Sequence, residues 1–170
     1  MKRRKTQMKK RTIIALALFS AGALITLALA AEAIKETVNY PEGYRQWHHV
    51  QSLVIAKGHK DFAIAGGIHN VYANDKAFEA LTEGKPYPDG AVFVNDVLTA
   101  NEKDHAITEG PRRFIGVMQK ESKEAADTGG WAFETFEDDT KERKSPDQQF
   151  CFQCHKSRKD TDYVLSEYRK

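Results

Sequence analysis

The feature that most constrains this chain is Cys151-Phe-Gln-Cys154-His155, near its C-terminus. It holds the only two cysteines of 170 residues, three apart, with an imidazole directly after the second. Cys-x-x-Cys-His is the spacing of covalent c-type haem attachment. Each thiol adds across one haem vinyl group, and the adjacent imidazole reaches the iron from the proximal side. The expectation is one covalent haem c per chain, with Cys151 and Cys154 as thioethers and His155 as the iron ligand. Other readings fit less well. Structural zinc takes four ligands and would have to recruit two distant histidines, and a redox dithiol belongs to a cytosolic thioredoxin-like setting.

The N-terminus fixes the compartment. "MKRRKTQMKKR" carries seven basic residues and no acidic one, and "TIIALALFSAGALITLALA" follows without a charge. A basic stretch, an apolar stretch and a small-x-small site at Ala28-Leu29-Ala30 make residues 1–30 an export signal, with residues 31–170 as one periplasmic haem domain. The apolar run from Thr12 to Ala31 covers about 30 Å as a helix, enough to anchor the chain in a bilayer if it is not cleaved. Without residues 1–30, 19 basic residues face 24 acidic ones, a net charge of −5. No basic stripe with interleaved aromatics remains, and so nothing supports nucleic-acid binding.

The rest reads as an α+β domain built on an antiparallel sheet with a few helices. Residues 67–73, 91–98, 113–119 and 131–137 are rich in β-branched and aromatic residues with period-2 alternation, and predict strands. "DKAFEALTEG" predicts a helix capped by Asp75 and stopped at Gly84. "YRQWHHVQSLVIA" and the closing "DTDYVLSEYRK" are read as helices, 87–90 and 109–111 as turns, and 137–149 as a polar loop. In "AVFVNDVL", alternation puts Ala91, Phe93, Asn95 and Val97 on one face and Val92, Val94, Asp96 and Leu98 on the other, both mostly apolar.

Taken in order, "YPEGYRQW", "GGIHNVYAN", "YPDGAVFV", "GGWAFETF" and "CFQCH" followed by "DYVLS" resemble the cytochrome P-460 family and its cytochrome c′-beta relatives, from Tyr40 to about Tyr168. The resemblance implies a homodimer of antiparallel sheets with one five-coordinate c-haem per subunit. It also implies one of two activities: hydroxylamine oxidation, with a lysine bonded to the haem ring, or binding of nitric oxide or carbon monoxide under a phenylalanine cap. Asn95 occupies the place of that lysine, and Lys85 is the nearest rival in sequence. The phenylalanine caps map onto Phe62 and Phe93, with Phe78, Phe133 and Phe136 as alternatives. Hydrophobic core is the competing role for all five.

Arg45, Arg112 and Arg113 are candidates for holding the haem propionates, because guanidinium groups match carboxylates. A protein sixth ligand would have to be Met118, the only methionine after residue 30, or one of His48, His49, His59, His69 and His105. Three functions stay open at this point: a gas-binding cytochrome, a hydroxylamine-oxidising enzyme and a mono-haem electron carrier serving a redox-partner cytochrome.

Overall fold

A computed structural model describes residues 38–144 and 146–169. The expected export signal, its cleavage site and the uncleaved-anchor alternative lie outside these residues. Among the described residues no helix is long and apolar enough to cross a membrane. The domain is α+β, with one six-stranded antiparallel sheet in chain order: β1 (His48–Ile55), β2 (Gly67–Ala73), β3 (Val92–Lys103), β4 (Ala106–Lys120), β5 (Trp131–Glu137) and β6 (Glu142–Arg143). Among the described residues three α-helices join it: α1 (Phe62–Ala65), α2 (Asp75–Glu83) and α3 (Gln148–His155).

The alternation in β3 sorts the two faces. Ala91 and Phe93 join Val71, Ala73, Met118, Trp131 and Phe133 in one core, under Ala77 and Ala80 of α2 and Val164 of the C-terminal segment. Cys151, Phe152 and Tyr163 pack on the same cluster, so α3 lies on this face. Val92 and Val94 join Ile115, Val117, Ala132 and Phe136 on the opposite face, covered by Val38, Tyr40, Tyr44 and Trp47. Both faces are thus buried where β3 is apolar on both sides, as the sequence predicts.

Four strands form where alternation places them. Elsewhere the structure corrects the reading. The stretch read as a helix at 44–56 is a 3₁₀ turn, Tyr44–Gln46, followed by β1, which pairs with β2 from His48↔Ala73 to Ile55↔Gly67. The closing segment is not an α-helix either. It makes 3₁₀ turns over Lys156–Thr161, then Asp162 and Tyr163 take positive φ and the chain runs on without helix. Its backbone groups go to partners outside a helical ladder: the Tyr163 amide donates to Arg158 (2.7 Å), and the Asp162 carbonyl accepts from the Trp131 indole (2.8 Å).

The 109–111 turn is absorbed into β4, where an irregularity in the β3–β4 pairing accommodates it. The polar loop contains β6 and the start of α3. The cap of α2 is Asn74, whose side chain accepts from the Ala77 amide (3.0 Å), one residue before the expected Asp75. Its stop is Gly84 as read, at φ 65°, a left-handed conformation that glycine adopts without Cβ strain.

Candidate haem site

α3 opens at Asp147, whose side chain accepts from the Gln149 amide (2.8 Å). Gln148 anchors the helix to β5 by accepting from the Phe133 amide and donating to the Phe133 carbonyl, each at 2.7 Å. The helix therefore sits at a fixed height over the sheet. Positions three and four apart share one side of a helix, and so Cys151, Cys154 and His155 come together. Both thiols are free, Cys151 half-buried and Cys154 exposed. Burial pushes the Cys151 thiol up to about 11, which keeps it protonated at neutral pH.

His155 packs on Phe133, with ring centroids 5.1 Å apart. Its Nδ1 lies 2.9 Å from the Tyr163 carbonyl. A carbonyl only accepts, so Nδ1 carries the proton and the neutral ring keeps its lone pair on Nε2. Burial lowers the His155 pKa, outweighing the opposing effect of the Tyr163 bond, and favours that neutral form.

The same sheet face continues from Phe133 along a row formed by Val71, Asn95, Gly116 and Thr135, in register across β2 to β5. Asn95, Gly116 and Thr135 are only half-buried. A Cβ built on Gly116 would meet nothing nearer than Phe114 at 3.8 Å, so the sheet surface there is flat and open to a planar group. Two free thiols a turn apart, an imidazole with Nε2 bare and an adjoining sheet face with room beside Phe133 are the donor set and surface that haem c needs.

The other residues singled out from sequence are distributed unevenly. Asn95 faces the α3 side and bonds His69, whose Nδ1 is 3.0 Å from Nδ2 and 3.2 Å from Oδ1. Phe93 lies in the core at 4% exposure, with Tyr87 and Trp131 as ring neighbours. Phe62 is on α1 at 38% exposure. Phe133 is the ring beside His155, Phe78 stacks on His48, and Phe136 is buried on the opposite face against Tyr40.

Arg45 and Arg112 are not brought to the α3 side. Both bond the fully buried Asp96 on the opposite face, at 2.8 and 2.7 Å, and Arg112 also pairs with Asp139. Arg113 donates instead to the carbonyls of Gly66 and Ala63 at α1. Lys85 is exposed and paired with Glu83.

Three contributors escaped sequence reasoning. They are the Tyr163 carbonyl, the His69 partner of Asn95, and Lys120, a buried lysine on β4 bonded to Asp162 at 2.7 Å over the Trp131 ring. Alternation did carry one missed signal. Asp96 among apolar neighbours on β3 had to have cationic or hydroxyl partners.

A family model described as Cytochrome P460 matches residues 41–166. No curated protein matches the chain.

Proposed function

Because the chain belongs to the cytochrome P460 family, which implies haem binding, we propose that it is an exported c-type cytochrome. One haem is bonded to Cys151 and Cys154 and ligated by His155, and the opposite iron position stays open to small neutral ligands such as nitric oxide. Haem, when bound, supplies a redox-active iron with a ligand position on each side of its ring. The observation that carries the reading is the His155–Tyr163 bond beside two free thiols, because it fixes the tautomer that leaves Nε2 as donor.

The open position is supported by where the other candidate ligands are held. Met118 is buried in register between Phe93 and Phe133. Both ring nitrogens of His69 have partners, the Asn95 amide and the Ala65 carbonyl. His48 bonds Asp75 and stacks on Phe78, His49 bonds Ser52, and His59 accepts from the Asp61 amide. His105 lies in the turn of the β3–β4 hairpin. Asn95 stands where the resemblance puts the haem-linking lysine, and an amide cannot form that bond. Lys85 and Lys120 are each held by a carboxylate.

The homodimer belongs to the same proposal. β1 is an edge strand with Leu53 and Val54 exposed, and light scattering of the purified protein tests it.

The deciding experiment is the mass of the denatured mature chain together with ferric and ferrous absorption spectra, with and without nitric oxide. The expected outcome is one haem mass that survives denaturation, a five-coordinate iron, and a spectral change on adding nitric oxide. A chain without haem mass defeats the proposal. A six-coordinate low-spin iron without added ligand points to the electron carrier, and a macrocycle linked to a lysine points to hydroxylamine oxidation.

A further inference from the structure

His69 and Asn95 are diagonal neighbours on adjacent strands, since His69 pairs with Val97 and Asn95 with Val71. Both face the α3 side of the sheet, and His69 is 5% exposed. The Nε2 of His69 lies 2.6 Å from the Ala65 carbonyl, which can only accept, so Nε2 carries the proton. In the neutral ring Nδ1 is then a bare lone pair. Both ends of the Asn95 amide lie against it, Nδ2 at 3.0 Å and Oδ1 at 3.2 Å, and a bare lone pair can bond only the N–H end.

The Ala65 carbonyl belongs to α1, and the carbonyls of Ala63 within α1 and of Gly66 directly after it accept from Arg113. One run of hydrogen bonds thus joins β4 to α1, α1 to His69, and His69 to Asn95.

We propose that His69 is a positioning residue: it takes the Asn95 N–H as its hydrogen-bond donor and so leaves Oδ1, which its bare Nδ1 cannot bond, as the end of the amide free to accept from a ligand on the sheet face. This rests on the reading that haem occupies that face. A fixed acceptor there favours ligands carrying N–H or O–H groups, such as water and hydroxylamine. It disfavours anions that want a donor, such as cyanide and azide, and it leaves nitric oxide and carbon monoxide, which need neither, unhindered. The site discriminates by hydrogen-bond polarity as well as by size.

The test has two arms. In the first, long-range ¹⁵N correlation spectra of the purified protein, taken on the diamagnetic ferrous carbon monoxide complex or on the chain as it stands if it carries no haem, report the His69 tautomer. Protonated Nε2 with bare Nδ1 is expected, and a protonated Nδ1 overturns the proposal whatever the haem content. A haem-free chain would defeat the functional reading alone and leave this arm to decide.

In the second arm, His69→Leu frees the amide to turn its N–H groups outward. Ferric cyanide affinity should then rise about tenfold, equivalent to about 1.4 kcal/mol or one neutral hydrogen bond, and the C–O stretch of the ferrous complex should fall. His69→Gln restores the original values, because its amide can donate to Ala65 and accept from Asn95. In an Asn95→Val background His69→Leu should change neither quantity. Unchanged cyanide affinity and C–O stretch in His69→Leu, or an equal change in the Asn95→Val background, overturns the proposal. If His69→Leu does not fold, the tautomer and the Gln variant decide it.

Discussion

The Nδ1–H of His155 donates to the main-chain carbonyl of Tyr163 at 2.9 Å, eight residues on. The bond ties the imidazole to the segment that leaves α3 and returns across the sheet face, where Val164 is 1% exposed. Ring orientation at the site therefore depends on the docking of the C-terminal segment as much as on α3.

Replacing His155 with Gly should keep the haem attached through Cys151 and Cys154 while removing its proximal nitrogen. We expect the ferric spectrum to change and added imidazole to restore it toward that of the parent. An unaltered spectrum in His155→Gly would rule His155 out as the ligand.

Docking of the C-terminal segment rests on Lys120 and Asp162. Asp162→Ala leaves a buried ammonium with only the Gly129 carbonyl (3.3 Å) and the Trp131 ring for company. Breaking such a pair costs about 3 kcal/mol, whereas Lys120→Met, which leaves only the more exposed carboxylate behind, should cost less. Denaturant melts followed by Trp fluorescence measure both. Equal losses in the two variants would mean that the ammonium is well solvated.

The Asp96 network on the opposite face makes a pH prediction. Burial alone would push the Asp96 carboxyl up, but the Arg112 and Tyr44 hydrogen bonds and the two guanidinium charges hold it below its usual range. A depressed carboxyl stabilises the fold fully above the unfolded value of about 3.9 and loses that contribution as pH falls through the folded value. Asp96→Asn should cost about 3 kcal/mol at neutral pH and flatten the loss of stability below about pH 4. Chemical denaturation at neutral and acid pH checks both, and an acid limb unchanged in Asp96→Asn would assign it to other carboxylates.

These sites also mark what the sequence made legible. β2 to β5 were readable because each is rich in β-branched and aromatic residues; in β2 burial alternates strictly, and β3, apolar on both faces, is buried on both. β1 was not, because "HHVQSLVI" is exposed along most of its length and its pairing with β2 comes from neighbouring strands. The C-terminal segment has helix-like spacing, but its backbone groups are diverted to Trp131, Arg158 and His155, which no local pattern encodes. Cys151, Cys154 and His155 stood out because covalent chemistry fixes their spacing. The Tyr163 carbonyl could not, since a backbone carbonyl has no residue identity, and the His69–Asn95 bond depends on a cross-strand register that single strands do not specify. For the arginines, residue type signalled carboxylate binding, while the sheet's faces decided which carboxylate Arg45 and Arg112 would find.

The two phenylalanines assigned to the ligand side separate by burial. Phe93, at 4% exposure between Tyr87 and Trp131, is held as a core ring, and Phe93→Ala should cost about 3–5 kcal/mol in denaturant melts. Phe62, at 38% exposure on a four-residue helix, fills no comparable space, so Phe62→Ala should cost under about 1 kcal/mol. If α1, pinned by Arg113 and His69, screens the open side of the iron, Phe62→Ala should still speed nitric oxide and carbon monoxide binding and admit larger ligands, with the haem attached. Stopped-flow and flash-photolysis rates measure this. A cap role for Phe62 predicts a large kinetic change with a small stability change. Rates identical to the parent's in Phe62→Ala would remove it from the ligand path and leave Phe93 to be tested with a smaller change, Phe93→Leu, which keeps the core filled.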